Sequence, residues 1–164
     1  MIKLILLDVD GTLTDGGIYL GNSDEELKKF NVKDGYAIVN AQKLGIEFGI
    51  ITGGKSELVS KRAERLKIKY LYQDISEKTV ILDEIMQITG LQKEEIAYMG
   101  DDLNDIKIMK KVGFSGTPLD GVNEAKIIAD FVSTKNGGEG AVREFIETIL
   151  KKYKLFQKFL INVK

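Results

Sequence analysis

Apolar and polar positions fall into two alternating registers along the chain. Short apolar runs recur as KLILLDV at the start, EFGIIT around residue 50, KYLYQ near 70, EIAYMG near 98, VGFSG near 114 and DFVS near 132. Between them lie stretches with helical spacing at 35–44, 56–66, 76–89, 104–112, 122–129 and 139 to about 156. Gly45 closes the first as a left-handed cap, and Gly90 stands beyond the third. Buried strands alternating with helices predict an α/β fold: a doubly wound, parallel, Rossmann-like sheet with helices on both faces.

One stretch interrupts the alternation. GGIYLGNSDEELKKFNV carries two strand-like pieces around the turn signal Gly21-Asn22-Ser23-Asp24, which predicts a small β-hairpin at about 17–32, inserted after the first strand. Residues 1–150 read as a single domain. The tail 151–164, KKYKLFQKFLINVK, is basic and apolar at helical spacing. It is expected to form a helix packed on this chain or on a sister subunit, with a membrane-surface helix as the weaker alternative.

Composition narrows the chemistry. The chain has 164 residues with 24 basic and 25 acidic side chains, a balance that points to neither nucleic acid nor an anionic membrane as partner. No apolar run reaches transmembrane length, and the start is too short and too soon acidic for a signal peptide, so a soluble, cytoplasmic protein is expected. Cysteine and histidine are both absent. Disulfides, thiolate nucleophiles, imidazole bases, zinc–sulfur sites and His-ligated transition metals are thereby excluded. Catalysis is left to carboxylates, Lys, Tyr and hydroxyls, and any metal to oxygen ligands, which favours Mg²⁺.

The first run ends in D8-V9-D10-G11-T12. Side chains at i and i+2 of extended chain point the same way, so Asp8 and Asp10 can face one small volume. An Asp-Gly turn with two solvated acids is the plainer reading of those residues alone. In a doubly wound sheet, however, ligands bind at the carboxyl ends of the strands. Thr52 stands at the end of the second core run, Asp101, Asp102 and Asp105 follow EIAYMG, and Lys78 opens the helix after KYLYQ. Clustered carboxylates repel and call for a cation. The set suits phosphoryl transfer to a carboxylate, with Asp8 as nucleophile, Asp10 as acid and base, and Thr52 and Lys78 on the transferring oxygens.

DVDGTLTDG, the ITG after the second run, the lysine of ISEKTVIL and YMGDDLNDIKIMKKVG resemble, in order, the four motifs of the haloacid dehalogenase superfamily of phosphatases. The likeness is closer to its 3-deoxy-D-manno-octulosonate 8-phosphate phosphatase branch, through FNVKDGYAIV, KSELVSKRAERLKIKYLYQ and NGGEGAVREFIETIL, and covers residues 1 to about 150. The resemblance implies a phosphatase without a cap domain, a hairpin in place of the lid, a homotetramer, and a role in supplying the inner sugar of lipopolysaccharide. It implies Mg²⁺ held by the side chains of Asp8 and Asp101 and the carbonyl of Asp10, with Asp102 and Asp105 orienting metal waters or Lys78. The Gly53 amide would join Thr52 on the phosphate, while Arg62 and Lys33 would help hold the sugar acid. Two positions depart from the pattern. Gly54 stands where family members usually carry Arg, which admits nine-carbon sialic-acid-type 9-phosphates as alternative substrates. Lys33 stands where many relatives have Arg and cannot make its bidentate contact.

Rival readings remain at this level. GIITGGKS at 49–56 satisfies the phosphate-loop pattern of nucleotide hydrolases, but Ile50 and Ile51 belong inside a buried strand and leave too little loop for a cradle. Receiver domains use similar residues in another order, with their acidic pair ahead of the phosphorylated Asp. A non-catalytic, partner-activating homologue is the third possibility.

Overall fold

The computed structural model describes residues 1–23 and 25–161. Six strands form one parallel sheet: β1 (Leu4–Leu7), β4 (Glu47–Ile51), β5 (Tyr70–Tyr72), β6 (Ile96–Met99), β7 (Phe114–Thr117) and β8 (Phe131–Val132), in the order β5-β4-β1-β6-β7-β8. From β1 the chain winds outward through β4 to β5. It then crosses back to β6 and winds the other way, so the order reverses between β1 and β6, where such sheets bind ligands. The register there pairs Leu7 with both Ile50 and Met99.

Alternation in β1 distributes its side chains to two cores. Ile5 and Leu7 join Phe48, Ile50, Ala97 and Met99 in one, and Leu4 and Leu6 join Ile51, Ile96 and Tyr98 in the other. The first is covered by α1 (Val32–Gln42), α2 (Glu57–Arg65) and α6 (Ala141–Lys152). The second is covered by α3 (Lys78–Thr89), α4 (Ile106–Met109) and α5 (Asn123–Ile128). Asp34 of α1 is buried and accepts the Arg143 N–H at 2.8 Å, satisfying one of the free donors at the start of α6.

Between β1 and α1 the described residues form a two-stranded antiparallel hairpin, β2 (Tyr19–Leu20) and β3 (Glu26–Leu27), closed at its base by a bridge between Thr14 and Phe30. Asp24 of the expected turn lies outside the described residues. Ile18, Leu20 and Leu27 are exposed on it. No helix among the described residues is long and apolar enough to cross a membrane.

Four elements differ in their boundaries from the pattern-based expectation. α1 begins at Val32, because Asn31 caps it by accepting the Lys33 N–H. α3 begins at Lys78, and the acidic-loop helix is a 3₁₀ turn, Leu103–Asp105, leading into α4. The last helix does not run on to 156. It stops at Lys152, Lys154 adopts φ +57, and the Leu155 N–H returns to Leu150 O at 2.8 Å. The chain then folds back as α7 (Phe156–Ile161) and inserts Phe159 into the α1–α6 core. Residues 162–164 of the tail are outside the described residues. Phe159 is fully buried, so Phe159→Ala is expected to cost about 3–5 kcal/mol, seen as a lowered urea midpoint with an unchanged slope.

At the amino ends of the strands the rim is tied by exposed ion pairs, Lys3 to Glu95 at 2.7 Å and Lys69 to Glu47 at 2.6 Å. The predicted acids, Thr52 and Lys78 lie at the opposite end.

Candidate active site

The chain leaves β1 into a single wide turn in which the Thr14 N–H donates to Val9 O at 3.0 Å. Gly11 takes φ +88 within it and lies so close to Asp101 that a Cβ would overlap the carboxylate. Gly137 packs equally tightly on Gly11 O from the loop before α6. The turn holds Asp8 buried beneath it and leaves Asp10 half exposed above.

Lys78 sits under Asp8. Its helix starts on the face of the sheet where Tyr98 points, which places the ammonium inside the protein at 2 % exposure. Its Nζ contacts Asp8 Oδ1 at 2.9 Å and donates to Asp105 Oδ1 at 2.7 Å and the Tyr98 hydroxyl at 3.1 Å. Tyr98 in turn donates to Asp105 Oδ1 at 2.5 Å. The other oxygen of Asp105 accepts the N–H groups of Asp101 and Asp102 at 2.9 and 3.1 Å. Asp105 is therefore occupied in fixing Lys78 and the Asp101 loop. Asp102 is exposed and accepts the Leu103 N–H at 2.7 Å. Asp101 faces Asp8 across the switch point, and one oxygen accepts from the Thr12 hydroxyl at 3.0 Å.

Carboxylate oxygens of Asp8, Asp101 and Asp105 lie within 4.8 Å of one another, with Lys78 as the ammonium among them. Burial and the Asp105 charge push Asp8 up to about 6, although Lys78 pulls it down. Burial and the charges of Asp8 and Asp105 push Asp101 up to about 7. Burial works against the charge of Lys78, but Asp8 and Asp105 outweigh it and hold the ammonium above its ordinary value. This is the electrostatics of a site short of positive charge.

At Asp10 opens a cleft of about 440 Å³, lined also by Thr52, Gly54, Lys55 and, from the hairpin side, Ile18 and Lys28. Thr52 is buried and its hydroxyl accepts the Gly54 N–H at 3.4 Å, and Gly53 is exposed on the same turn. Lys28 crosses from β3's end to Asp10 Oδ1 at 2.5 Å. Sequence reasoning singled out neither Lys28 nor Tyr98. Lys28 looks like any hairpin lysine, whereas the alternation of EIAYMG already put a hydroxyl on the face where Lys78 starts.

Asp10 and Thr52 line this cleft and Asp8, Lys78, Asp101 and Asp105 form the buried cluster, whereas Arg62 and Lys33 join neither. Arg62 donates to Asn31 O at 3.0 Å, lies 5.6 Å from the centre of the Phe30 ring and borders a neighbouring concavity with Leu58 and Arg65. Lys33 is exposed on the first turn of α1. Gly49, the first glycine of the phosphate-loop pattern, is paired with Leu6 inside β4, so no loop exists there to wrap a nucleotide.

A family model for haloacid dehalogenase-like hydrolases matches residues 70–146. The 3-deoxy-D-manno-octulosonate 8-phosphate phosphatase KdsC of Escherichia coli K12 is 46% identical over 149 residues, 91% of this chain and 79% of the relative. The chain belongs to this phosphatase family. It is thus a phosphoric monoester hydrolase of the haloacid dehalogenase type. Two crystal structures of the family superpose closely on it. That of the Yersinia pestis phosphatase has a TM-score of 0.93 at 42% identity, covering 95% of this chain and 84% of that one. The Moraxella catarrhalis phosphatase, in complex with a magnesium ion, a phosphate ion and a KDO molecule, has a TM-score of 0.96 at 37% identity, covering 99% and 94%.

Proposed function

We propose that this protein hydrolyses 3-deoxy-D-manno-octulosonate 8-phosphate to the free sugar acid and phosphate, with Mg²⁺, through an aspartyl-phosphate on Asp8. The observation that carries the reading is the buried cluster of Asp8, Asp101 and Asp105 held by Lys78, with Asp10, two residues on from Asp8, lining the adjoining cleft together with Thr52. The relative crystallised with magnesium, phosphate and the sugar acid supports the substrate class.

The donor set fits magnesium: hard carboxylate oxygens of Asp8 and Asp101 crowd a site whose raised proton affinities mark a deficit of cation. Asp8, Asp101 and the Asp10 carbonyl would hold the ion, with Asp102 beside its waters. When bound it would supply positive charge against the phosphate oxygens. The Asp8 oxygen then forms a bond to phosphorus as the bond to the sugar oxygen breaks, and Asp10 gives its proton to the departing alkoxide. Water next attacks phosphorus, Asp10 takes its proton, and the Asp8–phosphorus bond breaks. Thr52, the Gly53 amide and Lys78 stabilise the charge on the transferring oxygens. Lys28 must release Asp10 when substrate enters.

Gly54 leaves the cleft wall beside Asp10 without a side chain; a Cβ there would lie 3.4 Å from Asp10 Oδ2. That open wall favours a second reading, a nine-carbon keto-deoxy sugar acid 9-phosphate. The exposed Ile18, Leu20 and Leu27 of the hairpin support self-association, for which a tetramer is the expected form. Phosphate release from eight- and nine-carbon acid phosphates and hexose phosphates tests the reading. The eight-carbon acid should give the highest kcat/KM, and chelation should abolish turnover with recovery on adding Mg²⁺. Preference for a hexose phosphate would overturn the substrate assignment, and full activity in chelator would overturn the metal.

A further inference from the structure

Asn31 does two separate jobs. Its side-chain Oδ1 accepts the Lys33 N–H at 2.8 Å and caps α1. Ser, Thr or Asp would do this as well. The second needs a donor with the reach of the amide, which the shorter Ser hydroxyl and the acceptor-only Asp carboxylate do not offer. Nδ2 donates to Gly138 O at 3.1 Å, reaching a loop more than a hundred residues away in sequence. That loop lies on the acidic turn: the Gly138 N–H donates to Thr12 O at 3.1 Å, and Gly137 packs on Gly11 O so closely that a Cβ would collide. Thr12 holds Asp101 through its hydroxyl at 3.0 Å. Behind Asn31, Arg62 donates to its carbonyl at 3.0 Å and fixes it from α2.

We infer that Asn31 is a positioning residue for phosphate transfer: through Gly138 and Thr12 it clamps the turn bearing Asp8 and Asp10 against Asp101, where the hairpin rejoins the fold. The inference rests on the phosphatase reading above. An uninterrupted series of hydrogen bonds links α2, the exit of the hairpin, the glycine loop and the acidic turn. Reacting groups displaced by about an ångström lose rate on the order of a hundred-fold, so a clamp of this kind acts on kcat. Arg62 then serves the site from behind, as the anchor of Asn31.

Asn31→Asp separates the two jobs, since it keeps the cap acceptor and turns the donor facing Gly138 O into an acceptor. Its kcat on the sugar acid phosphate, and on p-nitrophenyl phosphate, should fall about ten-fold or more with KM within about two-fold, at an unchanged far-UV spectrum. Hydrogen exchange at the Gly138 amide should quicken while that of the Lys33 amide stays slow. Asn31→Ser should behave the same way. Wild-type kcat in both variants, or a loss confined to KM, would overturn the inference. Wild-type enzyme inactive on every phosphate ester would instead overturn the function it serves.

Discussion

Asp8→Asn is expected to lose phosphate release by about four orders of magnitude or more while keeping the fold. An amide cannot form the acyl-phosphate, and among the described residues the rim offers no other carboxylate in the same place: Asp10 is held on the cleft wall by Lys28, Asp105 is bonded at both oxygens, and Asp101 faces Asp8 from the next strand. Phosphate assays over hours on chromatographically folded protein decide the matter. Activity within ten-fold of wild type would rule out Asp8 as the nucleophile. The substitution has a second signature. Asp8 titrates near 6 in the folded protein against 3.8 when unfolded, and Asp101 near 7. The folded form therefore binds these protons more tightly, and the stability they contribute is full below about pH 4 and lost as pH rises through 6 to 7. In chelator, wild type should melt lower at pH 8 than at pH 5 on their account. Asp8→Asn removes one of the two groups and should flatten that slope.

Lys78→Met is expected to damage both function and stability. The ammonium is buried with three oxygen partners, and its removal leaves Asp8 and Asp105 facing each other without a cation. Breaking a buried pair by deleting one member costs about 3–5 kcal/mol. The loss should be largest in chelator at pH 8, smaller at pH 5 where Asp8 takes up a proton, and smaller again with Mg²⁺ present. Turnover should fall by about a hundred- to a thousand-fold, the effect of losing one donor to the transferring oxygens. Urea titrations at the two pH values, with and without Mg²⁺, measure the first effect and steady-state kinetics the second. Equal stability to wild type at pH 8 in chelator would show that Lys78 does not hold the cluster together.

The parts legible in the sequence are those set by local pattern. Four buried residues of LILL and the alternation in EFGII and IAYM determine which side chains meet which core, and strands of that kind carry their acids at the carboxyl end. Gly90 caps α3 with φ +72 as expected, and Gly45 takes the left-handed φ +86 two residues beyond Lys43, the cap of α1. Where no glycine marks the stop, as at Lys154, an apolar pattern continuous through Leu155 and Phe156 conceals the break. The start of α1 was hidden in the same way, because Val32 after Asn31 reads as extended chain. Contacts between distant segments left no local trace. Lys28 on Asp10 and Asn31 on Gly138 depend on how the hairpin folds back, and Arg62 turns toward Asn31 instead of the cleft for the same reason.

The ion pairs at the amino ends of the strands have a practical consequence. Lys3, Glu47, Lys69 and Glu95 lie a full sheet length from Asp10 and Thr52, on a rim that takes no part in the chemistry. Enzyme tethered to a bead or electrode through position 69 would keep its cleft turned to the solution, so a single attachment there suits a phosphate-release biosensor.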